Sequence, residues 1–334
     1  MRLSAEFGRG VKRLATAMMV AFAIFVPHLA VADGPLSWSR EWPNTDFSRI
    51  SIDLGEIRSG GPPKDGIPSI DAPVFVPSAE RATLAEDEPV ISVSINGDAR
   101  AYPLQILIWH EIVNDVVGGI PVAVTYCPLC NAAIVFDRRI DGSTLSFGTT
   151  GKLRHSDLVM YDRETESWWQ QFVGEAIVGE LNGKSLRPLP SRLESFRRFR
   201  DRHPDGRVQV PNDPKLRPYG RNPYVGYDTS IRPFLYAGDL PPDVPAMAYV
   251  VAAEGQAWTM ELIRREGRVR SGDIVISWEA GSRSALDTAA IANGRDIGNV
   301  VVQRQTAAGL VDLPYDLTFA FVFHAFRPNA PLHR

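Results

Sequence analysis

Cys127 and Cys130 are the only thiols in a chain of 334 residues, and they stand three positions apart in Tyr126-Cys127-Pro128-Leu129-Cys130. A pair at this spacing supports three kinds of chemistry. In a thiol oxidoreductase the first cysteine opens a helix, whose partial positive charge stabilises the thiolate. Here the following residues, Asn131-Ala132-Ala133-Ile134-Val135-Phe136, read as a strand, and the proline follows the first cysteine directly. In a metal knuckle, Cys-Pro-x-Cys is followed by a residue that tolerates the left-handed conformation, and the tight turn aims both sulfurs at one ion. Asn131 suits that position. A lone disulfide stiffening a turn is the third reading. One local bridge cannot staple a chain of this length, so the pair is not the framework of a disulfide scaffold.

The partners for a two-thiolate site must come from elsewhere. Trp109-His110-Glu111-Ile112-Val113-Asn114-Asp115 begins like a zinc-protease helix, but Asn114 stands where a second histidine would be needed. His110 is the first choice of third ligand, with Met160 and Asp157 behind it, and such a set suits a copper or zinc ion. As an enzyme, the chain would use Cys127 as nucleophile or redox thiol, His110 as its base and Glu111 to orient the imidazole. As a binding module, it would keep a structural Cys127–Cys130 disulfide and contact a small molecule through its aromatic, proline-rich stretch. Asp157 has Lys152 and Arg154 within reach as ion-pair partners. Met160 also fits a half-buried strand, and Trp168-Trp169 fits a core. Gly148-Thr149-Thr150-Gly151-Lys152 reads as a hairpin turn. Its spacing is not that of a phosphate-binding loop, and no nucleotide cofactor is expected.

These residues sit in a chain with a three-part beginning. Arg2, Arg9, Lys12 and Arg13 precede an apolar run from Leu14 to Val26, and Ala30-Val31-Ala32 offers a cleavage site. That is the layout of a secretory signal, and it implies a periplasmic or extracellular protein. Loss of residues 1–32 removes four basic groups and one acid, taking the net charge from −3 to −6. A mildly acidic chain without a basic stripe is a poor partner for nucleic acid. No later segment has the length of a spanning helix, so no membrane span is expected after cleavage.

The 27 glycines and 26 prolines argue for many turns and against a helical bundle. Residues 33–88 read as an irregular arm with short extended pieces such as Pro73 to Pro77. A first unit, 89–202, opens with the strand Val90 to Ile95 and a hairpin at Asn96-Gly97. A helix from Pro103 to about Asn114 follows, and a second is read over 191–202, with Ser191 and Glu194 as a capping box. Residues 203–245 form a Pro/Tyr-rich connection whose length hints at a lid or binding loop.

The last part, 246–334, echoes the first. Ala257-Trp258-Thr259-Met260 parallels Ala101-Tyr102-Pro103-Leu104. Gly272 to Ile276 overlays Gly119 to Ala123 without a gap, which puts Ala280 and Arg283 where Cys127 and Cys130 stand. Asn293-Gly294 then matches Asp141-Gly142. The expectation is a β-rich α+β fold built by internal duplication of a sheet-plus-helix unit, with the thiol chemistry in the first copy alone.

At Trp109–Asp115, Thr125–Asn131 and Gly151–Asp162 the chain resembles an exported family of bacteria and archaea catalogued as domain of unknown function 3179. The resemblance continues through Glu166-Ser167-Trp168 and Gly179-Glu180-Leu181 to Phe323-His324-Ala325-Phe326-Arg327-Pro328, and covers most of the chain after about residue 65. It implies export and motif boundaries but no reaction. Asn131 stands where many members have Gly, and His155 where they have Asn, so the resemblance does not offer His155 as a ligand.

Overall fold

Five two-residue turns set the grain of the described chain. Asn96-Gly97, Gly118-Gly119, Asp141-Gly142, His155-Ser156 and Glu254-Gly255 each have positive φ at both positions. That is the conformation whose twist matches the flanking strands of a hairpin. Four of the five contain glycine, which adopts it without a Cβ penalty. The exception is His155-Ser156, with φ of 53° and 67°.

The computed structural model describes residues 35–80 and 84–334. The leader read over residues 1–32 lies outside them. About 40% of the chain is strand and 15% helix, and five small sheets are arranged as a five-bladed β-propeller. This overturns the expected α+β duplication. The reason lies in pairings that no local pattern announces. Arg192–Ser195 joins Pro89–Ile95 across about a hundred residues, and Ile57–Ser59 joins Phe147–Arg154. Four of the five blades are closed by a strand from a distant part of the chain, whereas Arg268–Ser271, Ile274–Glu279, Asn299–Thr306 and Gly309–Asp312 pair in sequence order.

The echo between the two halves is a repetition of blades. Pro89–Ile95, Asp98–Pro103 and helix Leu104–His110 lead to Ile112–Val117, Ile120–Cys127 and Ala132–Asp137. Tyr249–Ala253, Gln256–Thr259 and helix Met260–Glu266 lead likewise to Arg268–Ser271, Ile274–Glu279 and Asn299–Thr306. The copies part at the cysteines. Cys127 to Ala132 is a tight turn between paired strands, whereas residues 280–298 form a long connection. Asn293-Gly294 lies inside that connection and is not a counterpart of the hairpin turn Asp141-Gly142.

Local expectations divide in the same way. Val74–Pro77 is a strand as anticipated, but the arm also carries helix Pro35–Glu41, whose Trp38 packs with Trp42 against Trp168 in a core of their own. The helix begun at Leu104 stops at His110, because Glu111 turns to φ 58° and the β-branched run from Ile112 continues as strand. Ser191 and Glu194 do not cap a helix. Arg192–Ser195 is a strand, and the helix is Phe196–Arg202. Glu194 is buried, bonded to Ser92 and Arg202. Gly148 to Lys152 is an irregular stretch of strand with its register shift at Thr149/Lys152. At Gly151, φ is 70° and a Cβ would meet the Pro62 carbonyl at 1.9 Å. Among the described residues no helix is long and apolar enough to cross a membrane.

Candidate metal centre

The sequence Cys-Pro-Leu-Cys-Asn folds as the knuckle its residues imply. The Cys130 amide donates to the Cys127 carbonyl and the Asn131 amide to the Pro128 carbonyl, both at 3.2 Å. Asn131 takes φ 51°, and Ala132–Asp137 then leaves as a strand. A strand after the second cysteine removes the helix N-terminus that would activate a redox thiol. The turn is strapped to strand Asp316–Phe319. Asn131 Nδ2 donates to the Leu317 carbonyl at 3.0 Å, and Thr318 Oγ1 donates to the Cys130 carbonyl at 2.7 Å.

The two thiols are free and approach to 3.4 Å, well beyond the ~2.05 Å of a disulfide. They face the turn His155-Ser156, where both sulfurs lie against the Ser156 carbonyl, Cys130 at 3.5 Å and Cys127 at 3.9 Å. Among the described residues this is the one paired-positive-φ hairpin turn without glycine. Strain of this kind persists where the surroundings over-determine it. Here Ser156 Oγ donates to the Phe234 carbonyl at 2.5 Å, and His155 packs its ring edge against Phe326.

The turn delivers Asp157. Its Oδ2 accepts from Gln170 Nε2 at 2.5 Å and from the Phe172 amide at 2.9 Å. Its Oδ1 is buried without a well-aligned hydrogen bond, and the Cys130 and Cys127 thiols interact with the carboxyl. The ligand atoms of Cys127, Cys130 and Asp157 all lie within 4.8 Å of one another. The three residues are 2%, 0% and 0% exposed. A tetrahedral ion with bonds of ~2.0–2.3 Å holds its ligands ~3.3–3.8 Å apart, so about an ångström of side-chain movement closes this set.

The electrostatics lack a cation. Burial pushes Asp157 up to about 6, against the opposing effect of its hydrogen bonds. Burial and the charge of Asp157 push Glu111 up to about 8. The same two causes bring Asp316 up to about 8, with Arg327 opposing. Burial also raises both thiols. None of the three carboxyls forms an ion pair among the described residues. Glu111 and Asp157, both out of water, must be neutral or be matched by positive charge, while Asp316 is half-buried.

The remaining sequence candidates fall elsewhere. His110 Nδ1 sits 2.7 Å from the Pro68 carbonyl, which can only accept, so this nitrogen carries the proton. Nε2 then spends its lone pair on the Tyr219 hydroxyl at 2.8 Å. Neither nitrogen is left for a metal or for Cys127. Met160 lies on the same strand as Asp157 but three positions on, hence on the opposite face, packed in the main core. Lys152 and Arg154 pair with Glu41 and Glu56 rather than with Asp157. Trp168 and Trp169 are fully buried. Glu111 lies near the site but outside the set within 4.8 Å: its carboxyl interacts electrostatically with Asp157 and Cys127 and has no hydrogen bond among the described residues. Asp316 was missed, and no signal in the sequence marked it.

The Pro/Tyr-rich connection covers the knuckle. Tyr227 donates to the Leu129 carbonyl at 3.1 Å and accepts from the Phe234 amide at 3.2 Å. The long connection 280–298, which stands where a second knuckle would be, holds this cover. The Gly226 amide donates to the Asp287 carbonyl, and buried Asp228 accepts from Ser284, Tyr249 and Arg295.

Fold and site define a five-bladed propeller in which one inter-strand turn sets paired thiols against a buried carboxylate. The chain belongs to the family described as protein of unknown function (DUF3179), whose sequence model matches residues 64–330. That span contains Glu111, the knuckle, Asp157 and Asp316. No curated protein and no solved structure matches the chain.

Proposed function

We propose that this is a metal-binding protein in which Cys127, Cys130 and Asp157 hold one zinc ion. The Glu111 carboxyl, outside that set, would have to move in to serve as a fourth donor. The observation that carries the reading is the gathering of two free, buried thiols and the buried Asp157 carboxyl, whose Oδ1 makes no well-aligned hydrogen bond, with ligand atoms within 4.8 Å of one another. A polar atom stripped of water and given nothing in return costs about 1–3 kcal/mol, more if charged, and a cation at this point would offset that cost. Two sulfurs with carboxylate oxygens favour zinc over copper(I), which prefers thiolate, thioether and imidazole. The soft donors that would tip the choice to copper, Met160 and the His110 ring, face other partners.

The rival use of Cys127 as a nucleophile finds less support. Such a thiol needs a lowered pKa and an adjacent base. Burial raises that of Cys127, and both nitrogens of His110 are engaged. Zinc titration of the metal-free protein against a chromophoric chelator tests the proposal. One ion per chain is expected, with affinity at least ~100-fold weaker in Asp157→Asn and Cys127→Ser. Weak binding indifferent to both substitutions overturns it.

A further inference from the structure

The three proposed ligands are almost wholly closed off from solvent, so an ion needs a path to them. A cavity of about 320 Å³ opens between the knuckle blade and the blade of strand Tyr249–Ala253. Ile134, Phe136, Leu189 and Phe323 supply apolar wall. Two of its lining residues lead inward. Phe172 contributes its side chain to the wall while its amide holds Asp157 Oδ2 at 2.9 Å. Asp316 lines the same cavity and adjoins Leu317, whose carbonyl receives the Asn131 side chain of the knuckle. The Asp316 carboxyl has no hydrogen bond or ion pair among the described residues, and it interacts electrostatically with Asp157. Glu254, paired with Arg304, and Arg327 also line the cavity.

We infer that this cavity is the path by which the metal ion reaches and leaves the knuckle, with Asp316 as the transit ligand that passes it to Asp157. The inference rests on the zinc reading above. An ion shedding water in an apolar-walled passage needs an oxygen donor partway, and Asp316 is the cavity-lining carboxyl that interacts with Asp157. No bond beyond metal–ligand exchange is made or broken, and each ligand that binds the ion gives up its own proton to solvent.

The test uses Co(II) as the probe, added to the metal-free full chain while the thiolate-to-cobalt absorption band is followed in time. Asp316→Asn is expected to slow the growth of the band by about tenfold, with its final height unchanged. Val173→Trp, which places an indole in the cavity wall without touching any proposed ligand, is expected to slow both uptake and chelator-driven release. Wild-type rates in both variants overturn the path while leaving the zinc reading intact. Loss of the band in Asp316→Asn, with the fold retained, makes Asp316 a resident ligand and also overturns the transit role. Absence of the band in the wild-type protein removes both this inference and the metal reading beneath it.

Discussion

Gln170 Nε2 donates to Asp157 Oδ2 at 2.5 Å and thereby orients the carboxylate so that Oδ1 is the free oxygen. The two residues lie on neighbouring strands of one blade, so the carboxylate is positioned by a sheet rather than by a loop. Outer partners of this kind typically contribute a factor of ten to a hundred to metal affinity. Gln170→Leu should therefore weaken zinc binding ~10–100-fold while leaving one ion per chain at saturation. Competition with a chelator measures it, and an unchanged affinity would show that the bond is structural only.

His110→Ala should leave zinc affinity as it is, because the ring already serves Pro68 and Tyr219. The cost should fall on stability instead, about 1–3 kcal/mol for partners left unsatisfied in a buried place. Denaturant unfolding read beside the metal titration separates the two. A large loss of affinity at preserved stability would return His110 to the ligand set.

The metal-free protein should lose stability as pH rises. Glu111 and Asp316 move from ordinary values of 4.5 and 3.8 to about 8 in the folded state, and Asp157 from 3.8 to about 6. Across that window the folded chain holds protons that the unfolded chain has released, so stability is fullest below the unfolded values and falls as pH climbs towards 8. Thermal melting with chelator present should give a higher transition at pH 5 than at pH 8, and Glu111→Gln should flatten the slope. Zinc should reverse the trend, because its ligands must shed their protons to bind. A metal-free melting temperature that climbs with pH would contradict this.

Asn131→Val should destabilise the knuckle by about 1–2 kcal/mol, since a β-branched residue is forced to φ 51°. Asn131→Gly meets no such strain, yet it loses the bonds to Tyr126 and Leu317, and should fall between the two. Unfolding midpoints of the three proteins give the order. Equal stability of Val and Asn would mean that the turn does not hold this conformation in solution.

Much of the site was legible because knuckle chemistry is local. Cysteine spacing, the proline and a residue suited to the left-handed region lie within five positions, and the strand pattern after them is plain. The third ligand was harder. Asp157 arrives on a separate hairpin whose His155-Ser156 turn carries none of the usual glycine signal, so preference went to His110, the more common ligand type. The fold was least legible. Hairpins such as Asn96-Gly97 announce themselves, but strands such as Arg192–Ser195 and Ile57–Ser59, which complete two of the blades, come from about a hundred residues away. Ser191 and Glu194 show the same limit: a capping-box pattern sits on a strand because Glu194 finds Ser92 and Arg202 in three dimensions.

The central claim, one zinc ion held by Cys127, Cys130 and Asp157, is tested most directly by elemental analysis joined to thiol counting on protein purified without chelator. The account predicts one zinc per chain, with both thiols shielded from reagent until the metal is removed, and loss of the metal in Cys130→Ser. Two freely reactive thiols and no bound metal in the folded protein would contradict it.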